Sequence, residues 1–156
     1  MTSQITEKLH PYHAIFYEHD GFNIKGSKLM GRQAAGWSYL KALIQSDTTD
    51  KLGVYTRNKE QRELLTNDVS ALLQEERDIQ IEFIPYNRPE LSQPYGGILL
   101  PGPNISEYAR DRSFFGHHLY SLVGITHTTA SHAVMSGISS VLTEPVMPWD
   151  AIICTS

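Results

Sequence analysis

The stretch Leu122-Val123-Gly124-Ile125-Thr126-His127-Thr128 decides how the rest of the chain is read. A short apolar run of this kind predicts a buried strand, and it carries a histidine flanked by two hydroxyls to the strand's carboxyl end. In open α/β sheets ligands collect in the crevice outside the carboxyl ends of the strands, so His127 is expected to face a substrate. Upstream, the apolar run Ala14-Ile15-Phe16-Tyr17 leads into a glycine-bearing loop, Asp20-Gly21-Phe22-Asn23-Ile24-Lys25-Gly26, and then into a helix entered around Met30-Gly31-Arg32. A glycine at a helix start lets backbone N–H groups approach an anion. The two segments are expected to converge on one site.

Working outward, short β-type runs alternate with helical patterns. Strands are predicted over 13–17, 52–56, 79–84, 97–100, 119–125 and 151–154. Helices are predicted over 30–45, 59–76 and about 105–115, with a further helix carrying Val134, Ile138 and Val141 on one face. Such alternation predicts an α/β fold built on a Rossmann-like parallel sheet with helices on both faces. The first helix spaces Met30, Ala34, Trp37, Leu40 or Lys41, and Ile44 at three- to four-residue steps. The second does the same with Leu65, Val69 and Leu72, and opens on Asn58 with Gln61 three residues later, an N-cap with a capping-box partner. Between 86 and 95 the chain reads as a proline- and polar-rich connection. Residues 1–11 read as a polar, flexible lead-in and 12–156 as the domain. A βαβ sheet usually returns a helix over its last strand, and none is encoded after 154, so the domain is expected to be incomplete.

Composition narrows the partners. The 156 residues are 40% hydrophobic and 19% charged, with a net charge of −4; this is ordinary globular composition. There is no lysine- or arginine-rich block to hold a nucleic acid. No apolar run approaches the roughly 20 residues that span a bilayer, so no transmembrane segment is expected. The single cysteine, Cys154, cannot form an intramolecular disulfide, and the amino end has no signal-peptide pattern, so a cytoplasmic location is expected.

Three segments together resemble the amino-terminal half of a GT-B glycosyltransferase, specifically family 4: Gly21 to Leu43 with Met30-Gly31-Arg32-Gln33-Ala34-Ala35-Gly36, Ile125-Thr126-His127-Thr128, and Trp149-Asp150-Ala151-Ile152-Ile153-Cys154-Thr155-Ser156. The resemblance spans roughly 12 to 156. Of the family's glycine pair at the first helix, the second falls on Gly31, while Met30 stands at the first. The loop glycines Gly21 and Gly26 remain as other sources of backbone freedom. The resemblance implies a retaining, metal-independent, two-domain enzyme. It would move a sugar from a nucleotide-sugar co-substrate to the hydroxyl of a saccharide or other acceptor, and use no further cofactor. It also implies that the acceptor is held mostly by the domain present here and the donor mostly by a carboxyl-terminal domain not contained in this chain. The chain alone is therefore expected to be inactive.

By that resemblance His127 lies beside the transferred sugar, where it would donate a hydrogen bond or stabilise developing charge. Gly31, Arg32, Lys25, Lys28 and Gly26, with Thr126 and Thr128, would meet the donor diphosphate at the helix N-terminus. Glu18 and Asp20, at the end of the first strand, are candidates to orient an acceptor hydroxyl. Each has a plainer reading beside it: a satisfied core histidine, a solvated basic loop with a packing glycine, carboxylates in water. The histidines His10, His13, His19, His117, His118 and His132 match no zinc-ligand spacing, and no metal is expected. Ser131 reads as an N-cap, Cys154 as a strand residue, and Asp150 as a brace for the last strand. The competing function is a non-catalytic nucleotide- or sugar-phosphate-binding module on the same sheet. A nicotinamide-dependent oxidoreductase is disfavoured, because no G-x-G-x-x-G follows the first strand.

Overall fold

In a computed structural model, which describes residues 13–26, 31–46, 50–73 and 78–154, the short β-type runs form β1 (His13–Phe16), β2 (Lys51–Thr56), β3 (Gln80–Pro85), β4 (Gly97–Leu99), β5 (Ser121–Thr126) and β6 (Ala151–Cys154). All pair in parallel, in the order β3-β2-β1-β4-β5-β6. The chain winds outward from β1 to β3, returns to β4 beside β1, and winds outward again. The strand order therefore reverses between β1 and β4, which is where doubly wound sheets open their ligand crevice.

The winding sends helices to both faces. On one face α1 (Gly31–Gln45) and α2 (Lys59–Leu72) cover Ile15, Tyr17, Leu52 and Val54 with Leu40, Leu43, Ile44, Leu65 and Val69. On the other, α3 (Ile105–Ser113) places Ile105, Tyr108 and Ala109 against Ala14, Phe16, Tyr55, Ile98 and Leu122. Beside α3 lies α4 (His132–Ser139), continued by a 3-10 turn over Ser140–Leu142 that donates the Ser140 hydroxyl to Ser106. Residues 14 to 17 are buried to both sides, as expected of a central parallel strand whose alternate side chains face two helical layers.

The Rossmann-like α/β architecture is as expected, with several local differences. The buried residues of α1 are Gln33, Gly36, Leu40, Leu43 and Ile44; Leu40 and Ile44 are as predicted, Trp37 packs partly buried against the same core, Lys41 is exposed, and Met30 lies outside the described residues. Gly36 seats the helix on the β1 loop, since an added Cβ there would overlap the Gly21 carbonyl oxygen. Helix α2 stops at Leu72 because Leu73 adopts extended backbone. Strand β5 runs from Ser121 to Thr126, starting two residues later and ending one residue later than predicted. The last helix ends at Ser139, so Val141 sits in the 3-10 turn. Val134, Ile138 and Val141 are only partly buried.

The connection after β3 is not an open loop. Pro89–Tyr95 forms a 3-10 helix that buries Pro89, Ser92 and Tyr95. The Tyr95 ring lies over Gly53 of β2, where a Cβ would come within 2.7 Å of it, and its hydroxyl donates to Glu82 at 2.5 Å. This segment covers the sheet surface that α3 does not reach. Both predicted N-caps form: Asn58 accepts from the Gln61 N–H at 3.0 Å and Ser131 from the Val134 N–H at 3.3 Å. The Gln61 side chain does not return to Asn58 as a capping box requires; its Oε1 accepts from the His19 N–H at 2.6 Å. Among the described residues no helix is long and apolar enough to cross a membrane.

Candidate functional site

The crevice begins where β1 and β4 part. β1 runs through Tyr17 and Glu18 into a 3-10 turn over His19–Gly21, and β4 runs into Leu100, Pro101, Gly102 and Pro103. The two loops touch: an added Cβ on Gly21 would lie 3.3 Å from the Pro101 ring. The second loop is also drawn over β5, with the Leu100 N–H donating to Val123 at 2.8 Å and the Ile125 N–H to Gly102 at 3.2 Å. Gly124 permits this approach, because a Cβ there would meet Ile105 at 2.7 Å and the Gly102 carbonyl at 2.8 Å. His127, the first residue past β5, is thereby brought beside Pro101.

Three of the sequence-derived candidates meet there. Arg32, in the first described turn of α1, pairs with Asp20 of the β1 loop. Arg32 also lies close enough to His127 for its charge to act on the imidazole. The His127 ring is held below its usual 6.5, chiefly by burial, with the Pro101 carbonyl pulling the other way and Arg32 adding to the depression. A low-dielectric site beside a fixed cation disfavours a second positive charge. The Nε2 of His127 is buried and has no hydrogen-bond partner. Gly31 is exposed, and a Cβ there would meet nothing within 4 Å, so its surroundings are open.

The other candidates lie elsewhere. Thr126 is buried on the α3 side of the sheet, donating to the Ile153 carbonyl at 3.4 Å. Thr128 is exposed and closes its own turn, accepting from the Ala130 N–H at 3.1 Å. Gly26 is exposed with open space around it, while Lys25 lines a separate cleft against α2. Glu18 leans toward Arg57, 3.6 Å away, instead of toward His127. Lys28 and the pair Thr155-Ser156 lie outside the described residues. Asp150 does brace β6, and more strongly than expected: its carboxylate accepts from the Leu122 and Met147 N–H groups, both at 2.8 Å, and binds Arg112 at 2.6 and 2.7 Å. Both side chains of that pair are fully buried. Cys154 is exposed.

A second group at the carboxyl ends of the strands, on the α3 face, was not apparent in the sequence. Arg57, directly after β2, lies over the rings of Tyr86 at 4.8 Å and Phe16 at 5.6 Å. Burial works against its charge, but Tyr86, Tyr108 and Glu18 together hold the guanidinium more firmly protonated than usual. Nearby on α3, the Asp111 carboxyl is raised above the ordinary 3.8 by burial and by Glu107, against the pull of Arg110 and Arg57. The signal that would have found this group is positional: Arg57 is the first residue past the carboxyl end of a strand, as His127 is. Comparison with protein-family models, with curated proteins and with solved structures gives no significant match.

Proposed function

We propose that this domain is the acceptor-side half of a retaining glycosyltransferase of the GT-B, family 4 kind, which moves a sugar from a nucleotide-sugar to an acceptor hydroxyl. A fold by itself names no function. The observation that carries the reading is the meeting of His127, Arg32 and the open backbone at Gly31 where the strand order reverses between β1 and β4. The arginine and the N-terminal turn of α1 supply the positive potential that a leaving diphosphate needs. His127, largely neutral, with a buried nitrogen that has no partner, is a group prepared for a sugar hydroxyl. Buried polar atoms are nearly always satisfied, and one left free beside a crevice marks a place for a ligand. In this proposal a separate donor-binding domain completes the site, and the domain described here does not transfer sugar without it.

The test is sugar transfer by the product of the natural reading frame, with labelled UDP- and GDP-sugars and a panel of hydroxyl acceptors. His127→Ala is expected to cut transfer by about 100-fold or more while leaving the far-UV spectrum unchanged, the scale of losing one preorganised stabilising group. An unchanged rate in the variant would return His127 to a packing role. Nucleotide binding without transfer to any acceptor would favour a non-catalytic binding module on the same sheet.

A further inference from the structure

A second concavity lies on the α2 side of the β1 loop. It shares no lining residue with the crevice formed by Asp20, Gly21, Arg32, Pro101 and His127. Its volume is about 270 Å³, and its walls include Phe22, Ile24, Trp37 and Leu64, with His19, Asp68, Asn67 and Lys25 around them. At its base the Tyr17 hydroxyl donates to Asp68 at 2.7 Å and lies 2.9 Å from His19 Nδ1. A hydroxyl has one proton. Since Tyr17 spends it on Asp68, the Tyr17 oxygen accepts from His19 Nδ1–H, and the same ring nitrogen lies 3.6 Å from the Asp68 carboxylate. The His19 backbone N–H is tied to Gln61 of α2, so the ring is held from both ends. Burial and Asp68 raise the Tyr17 hydroxyl far above its usual range, so the chain keeps its proton.

We propose that this cleft binds one neutral, polyhydroxylated ring, a monosaccharide or a cyclitol. Trp37, Phe22, Ile24 and Leu64 offer an apolar wall to the C–H face of such a ring. Asp68 accepts from hydroxyls, while the Asn67 amide and the Lys25 ammonium donate to them. The Asp68 carboxylate and the Lys25 ammonium balance across the cleft, which suits a ligand without net charge. The volume falls just under the roughly 300–1,000 Å³ of drug-sized sites, which suits a single ring and not a chain of them. The site is separate from the crevice and does not depend on the transferase reading.

The chain has two tryptophans, Trp37 and Trp149. Trp149→Phe therefore makes Trp37 the sole reporter, and the probes are D-glucose and myo-inositol titrated against its fluorescence. A saturable change is expected for at least one probe, with a Kd on the order of 1–10 mM for so few ligand atoms. Asp68→Asn should weaken it about tenfold or more through loss of the charge-assisted hydrogen bond. Asn67→Phe, at an exposed position that leaves the core alone, should fill the cleft and abolish the response. His127→Ala should leave it intact. No saturable response to either probe, indifference to both cleft variants, or loss with His127→Ala would each overturn the proposal.

Discussion

At the scale of single residues, His127 is the proposed catalytic group, and its burial has a measurable signature. Its folded pKa lies below 6.5, so between 6.5 and the lowered value the unfolded chain takes up a proton that the folded chain refuses. Its contribution to stability is whole above pH 6.5 and is lost as pH falls through that window. Chemical denaturation as a function of pH should therefore show a decline as pH falls below 6.5 that is shallower in His127→Gln. The His127 imidazole resonances should titrate below those of a free histidine. A binding anion beside Arg32 would favour the imidazolium and shift that titration upward. The unpartnered Nε2 gives the same residue a second readout, since a bound hydroxyl would shift its nitrogen resonance.

At the scale of elements, two glycines of α1 separate packing from binding. Gly36 seats the helix on the Gly21 carbonyl, and Gly31 meets nothing. Gly36→Ala should force α1 away from the β1 loop and cost about 1–3 kcal/mol in a denaturant titration, the usual scale of overpacking. Gly31→Ala should leave stability within about 1 kcal/mol of the parent, because a helical alanine is intrinsically favoured. If Gly31 is where backbone meets diphosphate, the added methyl will nonetheless weaken nucleotide-sugar binding. Loss of binding without loss of stability is the pattern a ligand contact predicts and a packing glycine does not.

At the scale of the whole molecule, the two ends of the sheet do different work. The carboxyl ends of the strands carry the open loops, while the amino ends of β5 and β6 are locked by Arg112 and Asp150, both with side chains at 0% exposure. The Arg112 Nη1 also donates to the Tyr120 carbonyl at 2.7 Å, so one guanidinium joins α3, the entry to β5 and the entry to β6. Removing one partner strands a buried charge, and Asp150→Ala should cost about 3–5 kcal/mol by urea denaturation. Joint replacement of both residues by apolar side chains should cost less than that single change. On the face away from α3, Ala151 and Ile153 of β6 are exposed, Ile153 at 49%, and no described element covers them.

Much of this architecture follows from the sequence because periodicity is a property of the local backbone. Alternation of short apolar runs with helical stripes, the stripe of Leu65, Val69 and Leu72, and the caps at Asn58 and Ser131 need only neighbours in the chain. The same holds for placing His127 at a strand end, and Arg32 just past the loop after β1. What the sequence could not specify was partner choice across distance. Lys25 and Arg32 are seven residues apart, yet they serve different concavities because the Gly21–Gly36 contact sets how α1 lies on the loop. Asp68 joins Tyr17 from 51 residues away, and Asp150 joins Arg112 from 38. Pro89–Tyr95 is ordered by a glycine on β2 and a carboxylate on β3. The sequence by itself determined which segments are strands and α-helices and at which end of the sheet the candidate residues lie. Only the tertiary structure decided which side chains meet, because that depends on strand order and the close approach of loops, and neither leaves a period in the chain.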